Sequence, residues 1–99
     1  MAEIHWGEAG APPRGVAVAT TSTLVSTPRD RKKIVLTNDS DEDIYLARAD
    51  SAVMNAGLRL NADGGSIVDE PDNTGYMYAG PWYAICSSGA KNLCVSEDF

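Results

Sequence analysis

Trp82-Tyr83-Ala84-Ile85-Cys86-Ser87-Ser88-Gly89-Ala90-Lys91-Asn92-Leu93-Cys94-Val95-Ser96 decides the fold class. Two runs of apolar and β-branched character flank Ser88-Gly89-Ala90-Lys91, whose central Gly-X is the preference of a two-residue type II′ turn. Read as a hairpin, this register sets Cys86 opposite Leu93 and Ile85 opposite Cys94. Strand side chains alternate between faces, so Trp82, Ala84, Cys86, Leu93 and Val95 share one face. Tyr83, Ile85, Ser87, Asn92, Cys94 and Ser96 share the other. The first set is the more apolar and is the expected core face. In this register the cysteines point to opposite faces and cannot bond. A one-residue slip would place Cys86 directly opposite Cys94. Two free thiols are the expectation, and two cysteines with a single histidine complete no zinc set.

The same pattern extends toward the N-terminus. Val16–Thr20 and Ser22–Ser26 are rich in β-branched residues, with Pro28-Arg29-Asp30 as a turn. Lys32–Asn38 reads as a buried strand and Asp43–Arg48 as an alternating one, with Ile44 and Leu46 on one face. The polar Asn38–Glu42 between them is turn-like, so the two runs are expected to form a hairpin. Ser51–Gly57, with a cap at Asp50 or Ser51 and Gly57 as a stop, is the one place for a helical turn or an irregular loop. Leu58 and Leu60 share a face, Asn61–Gly65 is a turn, and Ser66–Asp69 is a short strand. Glu70–Gly75 is a loop, and Tyr76–Ala79 reads as a further strand before Gly80-Pro81.

Short strands at this spacing, with no sustained helical period, predict an all-β chain: a compact antiparallel β-sandwich or barrel. Residues 1–15, punctuated by Gly7, Gly10, Pro12, Pro13 and Gly15, read as an extended N-terminal arm, and 16–99 as a single domain. Ile4 and Trp6 are large apolar side chains in that arm and are its candidate anchors on a partner.

Ninety-nine residues, 43% of them hydrophobic and 22% charged, suffice for one core. The net charge of −6 argues against nucleic acid as a partner, because phosphate neutralisation needs surplus Lys and Arg. It argues equally against docking on anionic lipid. No apolar run approaches the ~20 residues of a membrane span. Met1–Trp6 has neither the basic nor the apolar region of a signal peptide, so the expected place of folding is the cytoplasm of the producing cell.

A catalytic reading finds little to stand on. His5 is the only histidine and lies in the arm, away from any Ser or Cys nucleophile of the body. Asp63-Gly64-Gly65 lacks the Lys-Ser/Thr of a phosphate loop. The acidic run Asp39, Asp41, Glu42 and Asp43 lacks the glycine and flanking helices of an EF-hand and reads as a solvated turn. The expectation is a non-enzyme with no cofactor and no metal.

Three stretches carry a resemblance. Arg31-Lys32-Lys33-Ile34-Val35-Leu36-Thr37-Asn38-Asp39-Ser40-Asp41-Glu42-Asp43-Ile44-Tyr45-Leu46 resembles the basic residue, buried strand, N-x-S, acidic turn and I-Y-hydrophobic opening of small tailed-bacteriophage virion proteins. Gly57-Leu58-Arg59-Leu60-Asn61-Ala62-Asp63-Gly64-Gly65-Ser66 is similar to their G-I-R-L, turn, G-G-S element. Tyr76–Gly89 is similar to their Y-x-G, x-x-Y-A-I, S-x-G segment. The likeness spans about residues 31–96. It implies a structural virion protein, with capsid decoration (cement) as the leading role, the major capsid protein as partner, and self-association as a trimer or dimer. The alternative is a small tail, fibre or adaptor component contacting a receptor or another virion protein. Candidate interface residues are then Ile4, Trp6, Pro12, Pro13, Tyr76, Tyr78 and Tyr83. The aromatic set Tyr76, Tyr78, Trp82 and Tyr83 would make a sugar-stacking surface only if alternation left it exposed, and alternation is expected to bury part of it.

Overall fold

The computed structural model describes residues 12–99, which form eight strands and, among the described residues, no helix. The strands are β1 (Arg14–Val18), β2 (Thr23–Ser26), β3 (Lys33–Asn38), β4 (Ile44–Ala47), β5 (Leu58–Leu60), β6 (Ser66–Asp69), β7 (Trp82–Ile85) and β8 (Lys91–Asp98). They build two four-stranded antiparallel sheets, β1-β8-β3-β6 and β2-β7-β4-β5, packed as a sandwich. Strand 1 pairs with 8, 2 with 7, 3 with 6 and 4 with 5. That nesting is a long antiparallel ribbon rolled around a core, the jelly-roll arrangement. The β4–β5 link stays within one sheet, and each of the other links crosses between sheets.

The core is the set of inward residues from both sheets. Val18, Ile34, Leu36, Leu93 and Val95 come from one, and Val25, Ile44, Leu46, Leu60, Trp82 and Ala84 from the other. Each large side chain among them contributes about 1.5–3 kcal/mol by leaving water. The predicted core face Trp82, Ala84, Cys86, Leu93 and Val95 is buried throughout. Both cysteines are free, Cys86 buried and Cys94 exposed.

The expected strand pairings are corrected. Asp43–Arg48 does not form a hairpin with Lys32–Asn38: β3 lies in one sheet and β4 in the other. Ile34 and Leu36 therefore face Ile44 and Leu46 across the core instead of lying beside them. Asn38 fixes the crossing. Its buried side-chain amide donates to Glu42 O at 2.7 Å and Leu60 O at 2.9 Å, and its Oδ1 accepts from Ser40 Oγ at 2.6 Å.

The closing hairpin is likewise absent. β7 pairs with β2 and β4, and β8 with β1 and β3. The turn between them has positive φ at both Gly89 (75°) and Ala90 (51°), where type II′ would require it only at the first. Tyr76–Ala79 is not a strand, because its carbonyls are taken by arginine side chain and loop backbone rather than by a ladder: Tyr78 O accepts from Arg31 and Ala79 O from the Arg29 N–H. Residues 51–57 form a turn without a helix. Of the expected arm, residues 1–11 lie outside the described residues, and Arg14 and Gly15 begin β1.

The two outer faces differ. The 48–57 loop crosses the β2-β7-β4-β5 sheet, where the Ala52 N–H donates to Ser22 Oγ at 2.8 Å. In the same sheet Ile85, an outward position by alternation, is nonetheless buried, and Ala52 of the loop is buried too. Among the described residues no loop crossing of this kind covers the β1-β8-β3-β6 face, where Ala17, Cys94, Ser96 and Val68 are exposed.

Candidate functional site

Two ends and one face of the sandwich carry its polar chemistry. At the lower end, alternation along β8 turns Leu93, Val95 and then Glu97 inward. Glu97 is 4% exposed and Arg31, at the start of the next strand over, 5%. Arg31 Nε meets Glu97 Oε2 at 2.8 Å, and Ser26 Oγ donates to the same oxygen at 2.7 Å. Arg14 Nη2 meets Glu97 Oε1 at 2.8 Å and donates to Val25 O at 2.9 Å. The rest of the Arg31 guanidinium donates to Ser26 Oγ, Thr27 O, Tyr78 O and Gly80 O, so each of its N–H groups has an acceptor. Burial alone would raise the Glu97 carboxyl. Hydrogen bonds from Ser26, Arg31 and Arg14 outweigh it and hold the group below the usual carboxylate range. This cluster locks β1, β2, β8 and the 78–80 segment together. Beside it, Arg14, Leu24, Thr27, Arg29 and Phe99 border a cleft of about 330 Å³, with the Arg29 guanidinium 3.5 Å from the centre of the Phe99 ring.

At the upper end the acidic turn is a set of caps. The Glu42 carboxylate accepts the backbone N–H groups of Ser87 (2.7 Å) and Ser88 (2.8 Å) and the Ser88 hydroxyl. The Ser88 hydroxyl and the two amides hold its pKa down to about 2. Asp41 pairs with Lys91 at 2.7 Å, and Asp43 Oδ1 accepts the Ala62 N–H. These carboxylates are occupied in fastening loops, and among the described residues no three His, Cys, Asp or Glu gather to hold a metal ion.

The two central rows of the β1-β8-β3-β6 outer face are uncharged, and the row below them carries Lys33 and Asp98. Register sets Gly15, Cys94, Thr37 and Ser66 in one row. Ser96, Val35 and Val68 form the next, and Val68 is 50% exposed. A groove of about 280 Å³ lies between Pro13, Val35, Thr37, Cys94 and Ser96, and the Asn92 side chain fills the place a Gly15 side chain would take, its Oδ1 2.5 Å from where a Cβ would stand. Asn92 bounds it above, its Nδ2 3.7 Å from Cys94 Sγ.

The candidate interface residues fall in separate places. Ile4 and Trp6 lie outside the described residues, as does His5. Pro12 and Pro13 are exposed, and Pro13 walls the groove. Tyr76 is 63% exposed on the 70–81 loop. Tyr78 is half-buried, donates to Pro81 O at 2.6 Å and meets Trp82 edge-on at 5.9 Å. Tyr83 is half-buried on the opposite face of β7 from the fully buried Trp82. The aromatic set therefore does not assemble into one stacking platform.

Sequence reasoning did not single out Arg31, Glu97 or the groove. Glu97 was accessible to it, since Leu93-x-Val95-x-Glu97 continues the inward alternation. Comparison of the chain with family models, curated proteins and solved structures gives no match.

Proposed function

We propose that this domain is a structural component of a tailed-bacteriophage particle, acting as a decoration (cement) protein on the capsid rather than as an enzyme. The observation that carries the reading is the β1-β8-β3-β6 outer face: uncharged through its two central rows, uncovered by any other described residues, with each row read across paired strands. Such a face suits broad contact with another protein and leaves little for a small substrate to grip. The jelly roll recurs in viral capsid domains, and the resemblance over residues 31–96 points the same way. Fold alone does not fix function, so the resemblance and the face carry the weight together.

The mechanism is energetic. A protein that binds only the assembled lattice stabilises it by mass action. Self-association as a dimer or trimer would multiply weak contacts to neighbouring copies of the major capsid protein. The reading as a tail, fibre or adaptor component has only the exposed Tyr76 in its favour, since Trp82 and Tyr78 are committed to the fold. Co-sedimentation separates the two. The protein is expected to travel with empty heads and to raise their thermal disassembly temperature. Sedimentation with tails, or none with either, overturns the decoration role.

A further inference from the structure

We propose that the lower end of the sandwich is a two-fold dimer interface, in which the 70–76 loop of one copy, led by Tyr76, fills the cleft beside Arg14, Arg29 and Phe99 of the other. The inference gives a form to the self-association proposed above and rests on that part of the reading alone.

Position is the first argument. Asp69 ends β6 in register with Ile34 and, through it, with Glu97, and Trp82 starts β7 in register with Ser26. The 70–81 loop therefore crosses the same end of the sandwich as the cleft. The two begin on opposite sides of that end. Arg14 of β1 and Leu24 of β2 border the cleft, while the loop leaves β6, and β1 and β6 are the two edges of one sheet. A two-fold axis through this end, perpendicular to the sheets, exchanges the sides and brings each loop to the other copy's cleft. Such a contact is isologous and closes at two copies. The same rotation leaves both β1-β8-β3-β6 outer faces uncovered and pointing the same way, as docking on one shared surface requires.

Chemistry is the second. Tyr76 is 63% exposed and Leu24, at the cleft, 45%. Both are large apolar side chains left in water at this end, and the cleft of about 330 Å³ receives a tyrosine side chain against Leu24 and the Phe99 ring. Charge agrees with this. The loop carries the exposed Glu70 and Asp72, and no Lys or Arg stands between Leu60 and Ala90. Arg14 and Arg31 share the single charge of Glu97, so with Arg29 the side chains about the cleft keep a positive excess after those pairs are made.

Preorganisation is the third. Asp72 Oδ1 accepts the Thr74 N–H at 2.8 Å, the Thr74 hydroxyl at 2.6 Å and the Tyr76 N–H at 3.0 Å. The Gly75 N–H donates to Asp72 O at 2.9 Å. The exposed tip is thus built before it meets anything, and the ordering a loose loop would undergo on binding is already done. A tyrosine offered on such a tip is the residue type that anchors interfaces.

The full chain in the absence of heads tests the dimer alone, so its failure is separate from a failure of co-sedimentation. Sedimentation equilibrium from about 1 to 500 µM is expected to show the 10.5 kDa monomer passing to a species of twice that mass and no larger. Tyr76→Ser, at an exposed position, is expected to weaken association by about tenfold or more with an unchanged circular dichroism spectrum. Cross-linking reads the geometry in a Cys94→Ala background, where the remaining Cys86 is buried. Chains carrying Tyr76→Cys and Leu24→Cys, mixed and oxidised, should give a disulfide-linked pair that neither chain gives alone. A monomer at every concentration overturns the proposal and leaves the cleft to another occupant. Association that continues past two copies overturns it too, as does a dimer that Tyr76→Ser does not weaken, or cross-linking as ready in either cysteine chain alone as in the mixture.

Discussion

Arg31 and Glu97 stand 66 residues apart in the chain and meet at 2.8 Å in the interior. A buried pair of this kind is costly to break, since removing one partner strands the other charge away from water. Glu97→Ala is therefore expected to lower stability by about 3–5 kcal/mol. An Arg31→Met/Glu97→Leu double variant should recover only part of it. Thr27 O, Tyr78 O and Gly80 O lose their donor in that variant, and orphaned acceptors cost about 1–3 kcal/mol each. Urea unfolding of the three proteins measures both effects. Full recovery in the double variant would show that the arginine's bonds to the backbone contribute nothing.

The same pair sets an acid limit. The folded state holds the Glu97 carboxyl below its ordinary 4.5, the bonds from Ser26, Arg31 and Arg14 outweighing the effect of burial. A depressed carboxylate contributes stability that is complete above the unfolded value and is lost as pH falls through the folded one. The Tm gap between native protein and Glu97→Gln is thus expected to be widest above about pH 5 and to narrow on acidification below 4.5. For Glu42, held at about 2, the corresponding gap should narrow progressively below about pH 4.5 and close only near pH 2. A Glu97→Gln gap that stays constant from neutral pH to pH 3 contradicts this account.

Which side of each strand faces inward was legible in the sequence, and which strands pair was not. Alternation names the buried side, and Trp82, Ala84, Cys86, Leu93 and Val95 follow it without exception. It carries no information about the partner: the same apolar stripe serves a hairpin neighbour or a strand facing it across the core. In a rolled ribbon the partners are distant, as when Gly15 pairs with Cys94, while turn chemistry speaks only for adjacent runs. Tyr76-x-Tyr78 shows the opposite failure. Its pattern fits a strand, but its carbonyls go to a buried guanidinium that no local signal announces. The groove was hidden for the same reason, since it exists only where Gly15, Val35 and Cys94 become neighbours.

Asn38 is the polar counterpart of that knot at the upper end. It is buried, both amide protons are used, and its acceptors Glu42 O and Leu60 O lie beyond its own sheet. Asn38→Ala is expected to destabilise by about 2–3 kcal/mol through two deprived carbonyls. Asn38→Asp should be no better, because a carboxylate cannot donate to them. Thermal unfolding compares the two, and a loss below about 0.5 kcal/mol, the scale of ordinary surface changes, would remove Asn38 from this role.

The turn between β7 and β8 offers a gain rather than a loss. Ala90 holds φ at 51°, directly after Gly89 at 75°. A left-handed conformation costs a non-glycine residue about 1–2 kcal/mol, and glycine's extra unfolded-state entropy offsets about 0.4–1 kcal/mol of that. Ala90→Gly is therefore expected to stabilise by about 0.5–1 kcal/mol. Gly89→Ala should act in the other direction, because it adds the same strain and brings a Cβ to 3.3 Å from Thr20 Cγ2. The opposite signs make the pair informative. If urea midpoints for both variants fall, the positive φ at Ala90 is not what the turn is working against. If Ala90→Gly alone rises, the strain sits at the link that carries the chain from one sheet to the other.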